Sequence, residues 1–393
     1  MAEFRVLFGV CAASVAAGTI EGIALATVIY TTTHSPLLSA ISMFGGSLAQ
    51  LLGAGTLLSV ADHMRPRSVL VVTTAVEALA AVGLASGAPV AVLLVIVLST
   101  SVVNSLSGAT FFGLLSDVVP EDGFVLARSL MNMTVGTMQI AGYAVGGLLL
   151  VWVNARTALL LDAGLLFVSS IVLHFGLRER PARASGKPGL GATWQANRYL
   201  LSSAARRYTY LALWIPNGLV VGIEAMFVPY AGTHAAVLLI AAALGMLAGD
   251  TIVGRVIPGR WRGQLIVPAR LLLALPYLLF ILRPALPFAA VIAAVASVGY
   301  SASLMLQDRL VQQSPSAVRG QALGLHSAGT MTMQGVGAIL AGVVAAYLPV
   351  HTTMTVMALA SIAATLVLMP GIFRTAPVSL PVRTSEGGDR STR

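Results

Sequence analysis

Apolar residues occur along this chain in runs of about 20, separated by short polar segments. A helix of about 20 apolar residues crosses the roughly 30 Å hydrocarbon core of a bilayer. Twelve such runs can be placed, at residues 6–30, 37–60, 68–86, 89–115, 126–151, 157–177, 208–231, 235–254, 265–282, 287–307, 321–347 and 351–371. The pattern therefore predicts an all-α protein with twelve transmembrane helices. The first run is longer than the core of a signal peptide, so we expect it to be a retained membrane helix.

Composition supports this interpretation, because 57% of the 393 residues are hydrophobic and only 9% are charged. A soluble domain has about 25% charged residues. The net charge of +9 is typical of nucleic-acid-binding proteins, but in so apolar a chain it indicates basic loops on the cytoplasmic side of a membrane. We expect the partners to be the lipid bilayer and a small molecule, with no nucleic acid.

The basic residues predict the topology. If both termini lie inside, Arg156 and Arg283 are the two basic residues in outer loops, and the other 21 of the 23 lie in inner segments. This distribution follows the positive-inside rule. We therefore expect a multi-pass protein of the plasma membrane with both termini in the cytoplasm.

An internal repeat indicates that the twelve helices form two related halves. Asp62 is followed five residues later by Arg67 at the end of the second run, and Asp250 is followed five residues later by Arg255 at the end of the eighth. The division predicts an N-terminal six-helix bundle at 1–177, a basic cytoplasmic linker at 178–207, a C-terminal six-helix bundle at 208–371 and a disordered tail at 372–393. Duplicated halves are typical of transporters, which bind substrate near the midplane where the repeats meet.

Acidic residues inside apolar runs are the strongest candidates for function, because an ionisable group at the bilayer centre costs at least about 2.5–3.5 kcal/mol. Glu21 and Glu224 lie in the first run of each half and occupy related positions. A carboxyl group in a low-dielectric cavity can bind and release a proton near neutral pH. Glu77, with no basic residue near it in sequence, is a third candidate for proton or substrate coupling. We expect Asp162 to be structural, near the outer surface or Arg156.

Uncharged polar residues within the runs could line a substrate cavity or could join helices by hydrogen bonds. These candidates are Asn104, Gln139, Trp214, Asn217, Tyr300, Gln307 and Gln334. The pairs Asp62/Arg67 and Asp250/Arg255 lie at the inner membrane edge, where a carboxylate–guanidinium contact could form a cytoplasmic gate or simply anchor the helices.

Several classes of protein are excluded or disfavoured by what the sequence lacks. The single lysine, Lys187, is followed by proline, so no phosphate-binding loop of the Walker type is possible and the chain does not hydrolyse ATP. The six histidines have no metal-ligand spacing, and no nucleophile elbow or HExxH motif occurs. We therefore expect no metal, no cofactor, no catalytic residues and no enzyme activity.

Four segments resemble the major facilitator superfamily. Ala61–Leu70 resembles its signature between helices 2 and 3, although Leu58 and His63 depart from it. Gly142, Gly146 and Gly147 resemble the helix-5 glycine element of antiporters, with Tyr143 in place of the proline. The loops before helices 5 and 11, at 117–122 and 314–320, look like the macrolide- and siderophore-efflux-like branch of drug:proton antiporters.

The resemblance implies an alternating-access carrier in which helices 1, 4, 7 and 10 line a central cavity. Glu21, Asn104, Glu224 and Tyr300 would then lie on cavity-lining helices, and Asp62 at the inner gate. Helix 4 lacks the basic residue that many proton antiporters carry there.

We therefore predict a monomeric secondary active transporter that exports an amphipathic small molecule in exchange for protons. Two alternatives stay open. One is uptake or facilitated diffusion, with Glu21 and Glu224 binding a cationic substrate, and the other is an integral membrane enzyme or lipid scramblase-like protein.

Overall fold

The computed structural model describes residues 2–62, 64–118, 124–181, 190–315 and 319–374. Its α-helices are α1 (Ala2–Thr33), α2 (Pro36–Asp62), α3 (Pro66–Leu84), α4 (Val90–Val118), α5 (Phe124–Trp152), α6 (Ala155–Gly176), α7 (Leu190–Ser202), α8 (Ala204–Glu224), α9 (Phe227–Ala231), α10 (Ala235–Thr251), α11 (Gly259–Leu272), α12 (Leu286–Val298), α13 (Ala302–Gln312), α14 (Arg319–Ala345) and α15 (Val350–Arg374). The predicted tail from residue 375 onward lies outside the described residues.

The all-helical, twelve-span architecture predicted from the sequence is confirmed. Each predicted apolar run coincides with a helical segment, and within the described residues nine segments are long and apolar enough to cross a membrane. One of them, Ala204–Val256, contains two crossings. Helices α1–α6 form the N-terminal half and α8–α15 the C-terminal half, while the short helix α7 lies between them.

The ends of the helices follow from local sequence. Pro66 begins α3, where its missing N–H costs no hydrogen bond, and the preceding Arg65 is extended. The Asn154 side chain accepts a hydrogen bond of 2.9 Å from the Thr157 backbone N–H and so caps α6. At the α1–α2 turn, His34 has a positive φ of 52°.

The ninth and tenth spans, in the C-terminal half, change helix type along their length. The ninth span begins as α11 and continues as a 3₁₀-helix at Leu275–Leu282, with Pro276 in its first turn. The tenth span changes from α12 to α13 through a 3₁₀ turn at Gly299–Ser301. Irregular backbone at membrane depth is tolerated where it is buried in protein, and this turn places Tyr300 inside the C-terminal half.

The beginning of α11 corrects one expectation. Hydropathy placed the ninth span at 265–282 and counted Arg270 among the inner-segment charges, but α11 begins at Gly259 and Arg270 is 1% exposed. Polar and basic residues occupy the first turns of α11, so the apolar pattern alone placed the start of this span several residues beyond the true start of the helix. Arg270 is therefore a buried charge within a membrane span.

We call the face at which α1 begins the proximal face and the opposite one the distal face. At the distal face one apolar core joins the two halves: Ile23 and Ala40 pack with Phe227, Met226 and Ala338. At the proximal face the described core residues pack within one half only, around Leu7, Leu70 and Leu173 in the N-terminal half and around Tyr210, Leu306 and Ile372 in the C-terminal half. The described residues therefore form a distally closed arrangement.

Candidate functional site

Three acidic side chains from distant parts of the chain meet in the N-terminal half. Glu21 lies on α1, Glu77 on α3 and Asp162 on α6, and α6 packs against both other helices. The carboxyl groups of Glu21, Glu77 and Asp162 interact electrostatically with one another. We call these three residues the acid cluster.

The acid cluster has no counter-ion in the described part of the chain. Asp162 is 2% exposed, and neither of its carboxylate oxygens has a partner within hydrogen-bond distance. No described arginine, lysine or histidine forms an ion pair with Glu21, Glu77 or Asp162. Adjacent buried carboxylates repel one another and lose hydration, so ionising all three groups together is unfavourable. The arrangement can therefore take up and release protons.

A cavity of about 350 Å³ adjoins the acid cluster. Glu21 and Glu77 line it, and Asn104 on α4 contributes an amide group. The other polar lining residues are Cys11, Ser14, Thr74, Thr100, Ser101 and Ser107. The lining comes entirely from α1, α3, α4 and α6, so this cavity lies inside the N-terminal half, whereas the repeat predicted a site where the two halves meet.

Glu224 is the last residue of α8 and lies in a different environment, among tyrosines. The Tyr300 hydroxyl group donates a hydrogen bond of 3.0 Å to Glu224 Oε1. Tyr277 and Tyr143 also interact electrostatically with the Glu224 carboxyl group. Since Tyr143 belongs to α5, Glu224 lies close to both halves of the protein.

Arg270 is a candidate that sequence reasoning missed. Its Nη2 atom donates a hydrogen bond of 3.1 Å to Ser303 Oγ, while Nε and Nη1 have no partner among the described residues. Arg270 interacts electrostatically with Tyr300 and with His326 on α14. The available signal was the apolar sequence on both sides of Arg270, at 265–268 and 271–273.

Asp162 is the second missed candidate. Sequence analysis expected a structural residue near the outer surface or Arg156, but Asp162 is buried against Glu21 while Arg156 is exposed. No local pattern connects residues 21 and 162. The available signal was an acidic residue within an apolar run, which is costly and for that reason is by default a candidate functional residue.

The uncharged cavity candidates lie in several environments. Trp214 Nε1 donates a hydrogen bond of 3.1 Å to the His326 carbonyl oxygen, so this indole joins α8 to α14. Asn217 is buried, and its Oδ1 atom has no partner among the described residues. Gln139, Gln307 and Gln334 are partly buried and do not line the cavity beside the acid cluster.

The predicted gate residues do not form one contact. Arg67 lies 3.6 Å from a carboxylate oxygen of Glu179, which also pairs with Arg65, all within the N-terminal half. The Asp62 side chain is outside the described residues. Asp250 is partly buried, Arg255 is exposed, and these two described side chains form no ion pair with each other.

The helix-5 glycines allow close packing of α5. A Cβ atom at Gly142 would overlap the Thr19 hydroxyl group on α1, and one at Gly146 would lie 3.3 Å from Ile20 Cα. A Cβ atom at Gly147 would overlap the Ala236 side chain on α10. The first two glycines therefore permit contact within the N-terminal half, and the third permits contact between the halves.

The Glu179 carboxyl group lies outside the spans, where Arg65 donates a hydrogen bond to it. This hydrogen bond lowers the pKa of Glu179 below its ordinary value. In the described part of the chain, no group of three or more histidine, cysteine or acidic side chains could hold a metal ion.

Comparison with known proteins gives one family. A model described as Major Facilitator Superfamily matches residues 6–317. No curated protein matches the chain.

Several solved structures share the fold. A variant of the nucleoside transporter NupG is 12% identical, covers 94% of this chain and 100% of its own, and has a TM-score of 0.74. A bacterial homologue of the human lysosomal transporter Spinster, inward-facing and unoccupied, is 13% identical over 95% of both chains with a TM-score of 0.70. Its inward-facing, occupied form has a TM-score of 0.63 at 13% identity and the same coverage. At these identities the likeness shows the fold alone.

Proposed function

This chain belongs to the major facilitator superfamily, whose members carry small molecules across membranes by alternating access, and we propose that it exports an amphipathic small molecule in exchange for protons. The proximal face is the cytoplasmic face in this proposal, because the two basic outer residues, Arg156 and Arg283, lie at distal ends of helices. The membrane is the plasma membrane.

The observation that carries the proposal is the acid cluster beside the cavity. Proton exchange requires a group that loses and regains a proton as its surroundings change. Glu21, Glu77 and Asp162 have no buried cation beside them in the described residues, so removal of a proton leaves uncompensated negative charge there. Water or a substrate cation reaching the cavity would lower that cost, which links occupancy of the cavity to proton release.

The distally closed arrangement supports the alternating part of the proposal. The distal core joins both halves, and Gly147 on α5 packs against Ala236 on α10. Rocking of the halves about this contact would separate the distal ends and bring the proximal ends together. Asp62, Arg67, Asp250 and Arg255 are then the gate of the other state, and Arg67 exchanges its present partner, Glu179, when the gate closes.

A flux experiment tests proton coupling. The purified protein is first screened with amphipathic compounds for thermal stabilisation, and the compound that stabilises it most is loaded into proteoliposomes. An imposed pH gradient should drive its movement in the wild type, and Glu21→Gln should reduce this gradient-driven flux at least about tenfold, equivalent to about 1.4 kcal/mol. Asp308→Asn is the matched control, because Asp308 is exposed and outside the acid cluster.

The same experiment separates export from the alternative. If the wild type equilibrates the compound at a rate that ignores the pH gradient, proton coupling is wrong and facilitated diffusion is correct. If the compound moves with the protons rather than against them, the protein is an uptake carrier.

A further inference from the structure

The helices that begin the third and ninth spans both start with arginines at the proximal face. In the N-terminal half, Arg65 precedes α3 and Arg67 is the second residue of this helix. In the C-terminal half, Arg260 is the second residue of α11 and Arg262 is the fourth. The two helices correspond under the six-plus-six repeat, so both halves place guanidinium groups at the same membrane edge.

In the N-terminal half, an acidic residue of the chain neutralises these arginines. The carboxylate group of Glu179, which follows α6, pairs with Arg65, and its Oε2 atom lies 3.6 Å from Arg67 Nη2. Basic groups at the start of a helix meet the positive end of the helix dipole, which is unfavourable. An anion at this place relieves that repulsion, and Glu179 is the anion that the N-terminal half provides.

The C-terminal half provides no such acid in its described part. The acidic residues between positions 190 and 374 are Glu224, Asp250 and Asp308, and none of them forms an ion pair with a described arginine. The position that corresponds to Glu179 follows α15, where the sequence contains no acidic residue before Glu386. The arginines at the start of α11 therefore lack the partner that their counterparts have.

These arginines lie at the depth of the lipid headgroups. Arg260 is exposed, whereas Arg262 Nε is buried and has no hydrogen-bond partner among the described residues. Trp261, between them, is 49% exposed, and tryptophan is enriched at membrane–water interfaces. One membrane span ends at Val256 and the next begins at Arg260, so the start of α11 lies at the membrane edge. We call Arg260, Trp261 and Arg262 the α11 patch.

Charge and depth together identify the partner of the α11 patch. Guanidinium groups bind phosphate oxygens in a bidentate manner, and the exposed side chains of Val256 and Trp261 offer apolar contact to an acyl chain. A free anion would match the charge of the patch but would leave this apolar surface unused.

We propose that the α11 patch binds the headgroup phosphate of an anionic phospholipid, which takes in the C-terminal half the position that the Glu179 carboxylate has in the N-terminal half. The lipid phosphate then neutralises Arg260 and Arg262 and anchors the start of α11 at the proximal membrane edge. The site depends neither on the direction of transport nor on proton coupling.

Native mass spectrometry of the purified full chain tests the site by resolving the binding of single lipids. Phosphatidylglycerol and phosphatidylcholine with identical acyl chains are titrated against the protein, and the dissociation constants of the first bound lipid are compared. We expect the wild type to bind phosphatidylglycerol at least about tenfold more tightly, because each arginine near an anionic lipid surface contributes about fivefold. The double variant Arg260→Gln/Arg262→Gln should lose this preference.

The N-terminal half supplies the matched control. Arg65→Gln/Arg67→Gln removes two arginines from the corresponding helix start, where Glu179 already binds them, and should keep the preference for phosphatidylglycerol. Equal losses in the two double variants would show that net charge alone attracts the lipid, and would overturn the site. Arg260→Gln changes one exposed side chain and should still weaken phosphatidylglycerol binding about fivefold, so the test holds even if the double variant does not fold.

Two further measurements distinguish the lipid from other anions. Inorganic phosphate at the concentration of the lipid should not displace phosphatidylglycerol, because it has no acyl chains, and full displacement would overturn the assignment to a lipid. Glu386→Gln/Asp389→Asn removes the acidic residues that follow α15 and should leave phosphatidylglycerol binding unchanged. Tighter binding in this variant would show that these carboxylates occupy the patch, which would also overturn the proposal.

Discussion

The two halves of this transporter share one architecture and differ in their buried charges. The N-terminal half contains Glu21, Glu77 and Asp162 with no ion pair to a basic group among the described residues. The C-terminal half contains Glu224, which accepts a hydrogen bond from Tyr300, and the fully buried Arg270, which donates one to Ser303. A duplicated fold therefore constrains helix order and packing without constraining the charge at equivalent positions, which leaves each half free to take a separate role in transport.

The largest effect is expected from reversing the charge of Arg270. This residue is the twelfth of α11 and corresponds to Glu77, the twelfth residue of α3 in the N-terminal half. Arg270→Glu replaces a fully buried cation by a buried acid and removes the hydrogen bond from Arg270 to Ser303, so we expect a destabilisation of about 3–5 kcal/mol. Thermal unfolding of the purified protein measures this effect. Glu77→Gln in the N-terminal half should be far milder, and equal effects of the two substitutions would show that the halves do not differ in charge balance.

Asp162, which the sequence suggested to be a structural residue, gives a second test, in the N-terminal half. Asp162→Asn should lower pH-gradient-driven flux at least about tenfold, or about 1.4 kcal/mol in the barrier, because it removes a proton-binding group from the acid cluster. Flux in proteoliposomes measures this, with Asp308→Asn as the control. If Asp162 had only a structural role, Asp162→Asn would instead lower the unfolding temperature and leave the flux per folded molecule unchanged.

The third prediction concerns the contact between the halves. Its readout is the chemical labelling of Cys11, the single cysteine, which lines the cavity of the N-terminal half. Gly147→Val inserts a side chain against Ala236 and should weaken distal closure. We expect labelling of Cys11 by a membrane-impermeant thiol reagent from the proximal face to fall about threefold as the population shifts. Gly164→Val is the control, since a Cβ atom at Gly164 meets nothing within 4 Å. Unchanged labelling in Gly147→Val would argue against closure at this contact.

The smallest effect is expected at the proximal surface of the N-terminal half. Arg65 lowers the pKa of Glu179, so the folded state favours the carboxylate. This contribution to stability is present above the pKa of Glu179 in the unfolded chain and is lost as the pH falls through the lower pKa of the folded protein. Glu179→Gln should therefore lower the unfolding temperature slightly at neutral pH and low salt, and not at acidic pH. Because Glu179 is exposed, high salt should abolish the difference, and a persistent difference would contradict the ion-pair explanation.

The sequence predicted features that depend on the local properties of each segment. A membrane span is apolar for about 20 residues wherever it occurs in the fold, and the distribution of arginines between loops indicated an orientation, so the twelve spans were located without tertiary information. Glu21 and Glu224 were identified because a charge inside an apolar run is conspicuous by itself. Arg270 was missed although it lies inside the predicted run at 265–282, because the polar first turns of α11 resemble a loop and Arg270 was counted with the basic residues of that loop.

The partners of these charges depended on the tertiary structure. Glu21 and Asp162 are far apart in sequence, and only the packing of α1 against α6 brings their carboxyl groups together. The 3₁₀ turn at Gly299–Ser301 brings the Tyr300 hydroxyl group to Glu224, and no periodic pattern in the sequence predicts that contact. The sequence by itself determined which segments span the membrane and most of the charges that they carry, because solvation by lipid acts on each segment separately. Only the tertiary structure decided which charges share a site, because electrostatic interaction depends on distance in space and on what is buried between the groups.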